Sequence, residues 1–280
     1  MGALQQTPVT ALEVEKPVRL RKPHSVLRSW LTGLASVVLV LAFWEFISGT
    51  GRVTALLLPT PVAVLQSAIT LMANGTLPVD IAVSLGRVIV GFFAALCIAV
   101  PLGVFMGLSR TVTDGVNPLV EIVRPVPPIA IIPIAMLWFG IGETSKVFLI
   151  AYGAFFPILL NTISGFRAID PIHIRAVQSL GAGRWQIIRY VVLLSAFPHI
   201  VVGARLGMGM GFIVLVAAEL IAADSGLGFL IQDARQHFMS VVIFVGIIAI
   251  GILGLLLNQS LSVLERRIVP WRFIGDGVTQ

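Results

Sequence analysis

From Phe238 to Leu264 the chain contains no Asp, Glu, Lys or Arg, and a second uncharged run extends from Val88 to Ser109, with its start near Ser84. About 20 mostly apolar residues suffice for a helix to cross the hydrocarbon of a bilayer, and both runs reach that length. Composition points the same way. Of the 280 residues 57% are hydrophobic and 11% charged, with a mean hydropathy of +1.00, whereas a soluble domain carries roughly 25% charged residues. A water-soluble fold has nowhere to hide this much apolar surface, so the excess must face lipid.

The charged residues divide the chain into six candidate spans: Trp30–Ser48, Val88–Ser109, Pro118–Phe139, Val147–Phe166, Pro198–Ala222, and one within Phe238–Leu264. The fifth carries Arg205 and Glu219. The expectation is an all-α membrane protein with about six transmembrane helices. Between the first two spans, Thr60 can cap a helix and Pro61 suits its first turn. The segment from Pro59 to Ile69 is too short to span and is read as an interfacial helix on the outer side. No internal repeat or low-complexity tract is visible.

The formal net charge is +6 and the isoelectric point about 10.4. In a soluble protein that balance would raise nucleic acid as a partner. Here the basic residues flank apolar runs and form no stripe interleaved with aromatics, so no nucleic-acid partner is expected. With the N-terminus inside, the inner segments hold Lys16, Arg19, Arg21, Lys22, Arg28, Arg110, Arg167, Arg175, Arg184, Arg189, Arg266, Arg267 and Arg272. The outer segments hold only Arg52, Arg87, Lys146 and Arg235. This asymmetry predicts that both termini are cytoplasmic, in agreement with an even number of spans. The first span follows a polar stretch, includes Glu45 and lacks a small-residue cleavage site, so it is expected to be retained rather than cleaved as a signal peptide. The expected organisation is a cytoplasmic tail over 1–28, a transmembrane domain over 29–272 and a cytoplasmic tail over 273–280. Cys97 is the only cysteine, which excludes a disulfide framework. The histidines show no metal-ligand spacing, and no carboxylate is assigned a catalytic role.

The longest inner loop, residues 167–194, has its own helix grammar. Asp170 is a good N-cap and Pro171 a good first helical residue. Gly181 suits the left-handed position that ends a helix, Ala182 and Gly183 complete a turn, and a second amphipathic helix starts near Arg184. A short capped helix held out from a bundle is a docking knob, suited to receive force from a soluble motor.

This loop resembles the coupling loop of the permease subunits of binding-protein-dependent ATP-binding-cassette importers, whose pattern is Glu-Ala-Ala, three residues, Gly, nine residues, Ile-x-Leu-Pro. Here the pattern falls on Arg175-Ala176-Val177, Gly181 and Val191-Val192-Leu193-Leu194. Ala176, Gly181 and Leu193 match. Arg175 stands for the leading Glu and Leu194 for the final Pro. The likeness extends to Arg124–Pro133 with Leu137–Lys146, to Ala217–Gly228 and to Leu58–Pro61, which are similar to segments of taurine and alkanesulfonate permeases. It covers roughly Leu58 to Arg272.

The resemblance implies the type I importer permease fold in a bacterial inner membrane. The coupling helix, with Asp170, Arg175, Ala176, Val177, Ser179, Leu180, Gly181 and Ala182, would dock into a groove of an ATP-binding subunit. Two permease copies, two ATPase copies and an external substrate-binding protein would complete the machine. The chain has no G-x-x-x-x-G-K-[ST] phosphate loop, so ATP hydrolysis is expected in a partner and no cofactor in this chain.

Several residues within the spans are candidates for the translocation path. Gly203, Gly207 and Gly211 recur every four residues and let another helix approach closely. A charge at membrane depth costs at least about 2.5–3.5 kcal/mol, so Arg205 and Glu219 should face protein or water, each with a partner elsewhere. Arg205 could attract an anionic substrate or serve a structural bond. Pro125, Pro127, Pro128 and Pro133 must bend the third span or line a cavity. The candidate path is thus Arg124, Pro128, Arg205, Gly207, Gly211 and Glu219. For the cargo, taurine or another organosulfonate leads, with nitrate, bicarbonate or a vitamin precursor as alternatives. An ion-coupled secondary carrier and a membrane scaffold remain as competing classes.

Overall fold

The computed structural model describes residues 26–50, 54 and 56–270. The expected C-terminal tail, Arg272, Arg52 and the N-terminal segment up to Ser25 lie outside the described residues. The described residues form eleven α-helices: α1 (Val26–Gly49), α2 (Pro61–Ala73), α3 (Thr76–Leu108), α4 (Arg110–Val123), α5 (Ile132–Phe139), α6 (Glu143–Arg167), α7 (Pro171–Ser179), α8 (Arg184–Ile187), α9 (Leu193–Ala222), α10 (Leu227–Gln236) and α11 (Ser240–Ile268). A 3₁₀ turn (Pro128–Ile131) precedes α5, and a π turn (Ile188–Val192) joins α8 to α9. Five helical stretches are long and apolar enough to cross a membrane, and a sixth if the sharply bent pair α4/α5 counts as one span.

The centre of the bundle is α6, packed against α9 on one side and α3 on the other. The core between α3, α6 and α9 includes Val88, Phe92, Ala99, Ile150, Ile158, Leu159 and Leu215. Close approach is built into α9. A Cβ at Gly207 would stand 2.7 Å from Ile158 Cγ1 and 2.9 Å from the Ala154 carbonyl oxygen, so only glycine lets the two backbones come this near. Gly203 and Gly211 face α6 in the same way, opposite Asn161 and Ile150. The small-residue stripe therefore lies inside one subunit, as a seam between α6 and α9.

The structure moves several span boundaries. The second span begins at Thr76, earlier than the expected start near Ser84, and α3 includes Asp80, Ser84 and Arg87, all buried. Its uncharged part, Val88–Leu108, measures about 31 Å at 1.5 Å per residue, close to the full thickness of the hydrocarbon. The polar first turns thus sit at the edge of the apolar layer. The fifth span is longer than expected: helix continues from Arg184 through the π turn to Ala222.

The third span, expected as one segment over Pro118–Phe139, is broken. Its two arms meet at 83°. Pro125, Pro127 and Pro128 supply no backbone donors there, and Pro118 is accommodated inside α4. The Tyr152 hydroxyl from α6 lies 3.2 Å from the Val123 carbonyl and 3.3 Å from the Val126 carbonyl, and its single proton is shared between these two acceptors at the break.

At the chain's start, α1 packs lightly, chiefly against α2, with Trp44 also lying beside Phe244 of α11 at 5.5 Å between ring centroids. No described α1 side chain is buried, and Leu34, Leu39, Phe43 and Phe46 are more than 60% exposed, as befits a lipid-facing helix. Trp44 Nε1 donates to the Pro59 carbonyl at 3.0 Å. That contact leads into α2, where Thr60 Oγ1 accepts from the Ala63 amide at 3.2 Å and Pro61 opens the helix. α2 lies against α11 and α3.

Candidate functional site

Three polar features interrupt the apolar bundle, and they differ in burial and geometry. At the ends of α3 and α9 remote from α7 is a buried ion cluster. Arg87, on α3, donates through Nε and Nη2 to the two carboxylate oxygens of Glu143 at 2.7 and 2.6 Å. Its Nη1 donates to Glu219 Oε1 at 2.8 Å and to the Ser225 carbonyl at 2.6 Å. The Ser84 hydroxyl lies 2.9 Å from both Glu219 oxygens, and the Gly228 amide donates to Oε2 at 2.9 Å. Asp80 accepts from the Gly226 amide at 2.8 Å. The side chains of Arg87 and Glu219 are 3% and 1% exposed. Gly226 has φ +103°, and a Cβ there would strike the Glu219 carboxylate, so this turn requires glycine. Lys146 joins the cluster through Glu143 at 3.1 Å and Asp224 at 3.7 Å. Arg87 and Lys146 are both ion-paired and Asp80 is held by a backbone amide, and the arrangement clamps α3, α6 and α9 to the turn that enters α10.

Glu219 therefore has the partner that its depth demands, Arg87, 132 positions away in sequence. It does not line the cavity described next. Arg87 and Lys146, assigned to loops in the charge count, are buried inside helices. Hydropathy treats a charge as a break, so it gives no sign of a charge neutralised by tertiary contact. The buried Arg–Glu–Ser set as a group is absent from the sequence-based candidates.

The second feature is a cavity of about 910 Å³ between α6, α9, α11 and the α4/α5 break. Arg124, Pro128 and Arg205 line it, together with Tyr152, Asn161, Asn258 and Glu265. Gly207 and Gly211 are not in its lining; they face α6. Arg205 donates through Nε to Asn258 Oδ1 at 3.0 Å and through Nη1 to Glu265 Oε2 at 3.4 Å. Its side chain is 39% exposed, against 7% for Glu265. The cavity therefore contains two guanidinium groups and one carboxylate, on walls that are otherwise mostly apolar.

The third feature is the loop around α7. Asp170 Oδ1 accepts from the Ile172 amide at 2.8 Å and caps the helix, with Pro171 as its first residue. Gly181 stands at φ +83°, and the Ala182 amide reaches back to the Val177 carbonyl at 3.2 Å. The Gly183 amide donates to Gln186 Oε1 at 2.8 Å at the start of α8. The helix start, the left-handed stop and the second start thus fall where the residue pattern placed them. Arg175, Ala176 and Ser179 are exposed, Val177 and Ala182 half-buried. Leu180 is 86% exposed at the tip, with Ile172 and Trp185 also exposed. The base is anchored by Phe166, Ile187, Val192 and Ala196, against which Ile174 and Ala182 pack.

A bundle of spanning helices with a charged, mostly apolar-walled cavity and a capped loop at one end suits a membrane transport component. Residues 99–273 match the model of the family described as "Binding-protein-dependent transport system inner membrane component". The chain belongs to this family, whose members are multi-pass inner-membrane permease subunits. The taurine transport system permease protein TauC of Escherichia coli (strain K12) is 39% identical over 258 residues, covering 90% of this chain and 94% of that protein. The putative aliphatic sulfonates transport permease protein SsuC of Bacillus subtilis (strain 168) is 35% identical, covering 99% and 98%. Among solved structures, the inward-facing MetNI methionine ABC transporter matches with a TM-score of 0.53 at 21% identity, over 66% of this chain and 94% of that one. That likeness extends to the fold. The chain is thus an ABC importer permease of the taurine/sulfonate/nitrate type, with ATP hydrolysis residing in a separate subunit.

Proposed function

We propose that this permease conducts a small organosulfonate, taurine first among them, and that the cavity containing Arg124 and Arg205 is part of its path. The observation that carries the reading is the surplus of guanidinium charge in that cavity. Arg recognises planar or tripodal oxyanions through paired N–H donors, and a sulfonate presents such oxygens. The names of the relatives point to the same cargo class.

In this reading α7 is the coupling helix. Asp170 and Gly181 fix its two ends, while Arg175, Ala176, Val177, Ser179, Leu180 and Ala182 form the surface that enters a groove on an ATP-binding subunit. Exposed Leu180 supplies an apolar tip for that groove. The α7 end then faces the cytoplasm with both termini, 29–272 is the working domain, and the buried ion cluster lies toward an extracytoplasmic binding protein. Two copies of the permease enclose the path between them. ATP binding draws the ATPase subunits together, the coupling helices move, and the bundles rock between inward-open and outward-open states.

The test is reconstitution in proteoliposomes with the ATP-binding and substrate-binding partners. ATP-dependent taurine uptake is expected, and it should be lost in A176W and G181W variants that still reach the membrane. Uptake that persists without an ATPase and collapses with a protonophore would establish the secondary-carrier alternative instead. Selective uptake of nitrate or bicarbonate over taurine would keep the importer and change the cargo.

A further inference from the structure

The pair formed by Arg205 and Glu265 does not resemble a structural clamp. In the buried cluster the Arg87 nitrogens approach carboxylate oxygens to 2.6–2.8 Å, the range of strong charge-assisted bonds. In the cavity the Arg205–Glu265 separation is 3.4 Å, and the guanidinium is 39% exposed where Arg87 is 3%. Glu265 and Asn258 are seven residues apart on α11, two turns along one face, and together they present oxygens to two edges of the same guanidinium. All three residues line the cavity.

We propose that Glu265 is a resident carboxylate that occupies Arg205 while the cavity is empty and is exchanged for the anionic group of the cargo. This rests on the reading of the cavity as the transport path. A carboxylate and a sulfonate offer a guanidinium the same two-oxygen edge, so they compete for it. Asn258, neutral and held at Nε, keeps the guanidinium in place during the exchange. When Glu265 re-engages Arg205, the cargo loses its ionic contact and leaves. The binding-competent form is the fraction in which Glu265 has withdrawn, and the apparent affinity is reduced by that fraction. Tight retention, which would stall release, is thereby avoided, and Arg205 keeps an ionic partner while the cavity is empty.

The experiment uses the intact permease–ATPase complex, purified without the binding protein. Equilibrium binding is measured in parallel for taurine, methanesulfonate and nitrate. E265Q is expected to bind at least one of these anions about tenfold more tightly than the unmodified complex while lowering maximal uptake of the same anion. R205Q is expected to lose that binding, and the neutral pair R205Q/E265Q to assemble normally yet not recover it. If E265Q fails to assemble, E265D withdraws the carboxylate by one methylene and should also tighten binding. The proposal is overturned if Glu265 variants bind all three anions no better than the unmodified complex, or if R205Q binds and transports as before. Co-purification of the ATP-binding subunit is scored separately. Its loss from the unmodified complex would sink the importer reading, whereas its retention with unchanged binding sinks only the exchange.

Discussion

Two ionic sites lie on one helix of this permease, separated by about 21 Å of α9, and they are built on opposite principles. Glu219 is sealed. It meets Arg87, Ser84 and the Gly228 amide, and almost none of its surface reaches solvent. Arg205 is half-open at a cavity, with a looser carboxylate partner and an amide side chain at its other edge. A buried pair with every oxygen satisfied contributes a fixed geometry, and breaking one half of it is costly. A pair with one member open to solvent, as Arg205 is opposite buried Glu265, contributes less stability and costs less to open. The first site locks the end of the bundle at which α3, α6, α9 and α10 meet, and the second can respond to what enters. One helix thus combines an anchored end with an adaptable middle.

That contrast can be broken by substitution. The largest effect is expected from E219A, which strands the Arg87 guanidinium and should destabilise the subunit by about 3–5 kcal/mol, read as loss of folded protein in detergent on heating. G226A should follow at about 1–3 kcal/mol, because the added methyl meets the Glu219 carboxylate and the left-handed backbone is unfavourable for alanine. Its thermal unfolding should shift without any change in α7. D170A removes the cap of the loop helix at a cost of about 1 kcal/mol, measured as faster amide exchange confined to residues 171–179, with ATP-stimulated uptake reduced. R205Q should change unfolding by less than about 1 kcal/mol while uptake falls steeply. If R205Q unfolds the protein as severely as E219A, the distinction between the two sites is wrong.

Much of this architecture is legible in the chain. Uncharged runs placed the spans. Asp170-Pro171 and Gly181 placed both ends of α7, because capping and left-handed stops are local chemistry that does not depend on distant partners. The proline cluster pointed to a bend or a cavity wall at residues 125–133, whereas the 83° angle and the contact with Tyr152 are seen only in the fold. The ion cluster was illegible for a related reason. Asp80, Arg87 and Lys146 read as breaks in hydropathy, and the pairing of Arg87 and Lys146 with Glu143 and Glu219, like the bond from the Gly226 amide to Asp80, exists only after α3, α6 and α9 have packed. Glu219 itself was correctly expected to need a partner, but only the fold shows which one. The cavity has the same character: Arg124, Pro128 and Arg205 could be singled out one by one, whereas Asn258 and Glu265 join them only through the return of α11.

The sparse attachment of α1 has a practical consequence. A helix that buries no described side chain and is fastened chiefly through Trp44 and the segment leading to α2 behaves as a detachable mooring. The tightly packed part of the bundle follows Pro59. A fluorescent reporter or a foreign anchor spliced ahead of that proline should leave the α3–α6–α9 seam undisturbed, which makes the stretch before Pro59 the natural place to graft a label for watching the transporter turn over in a living membrane.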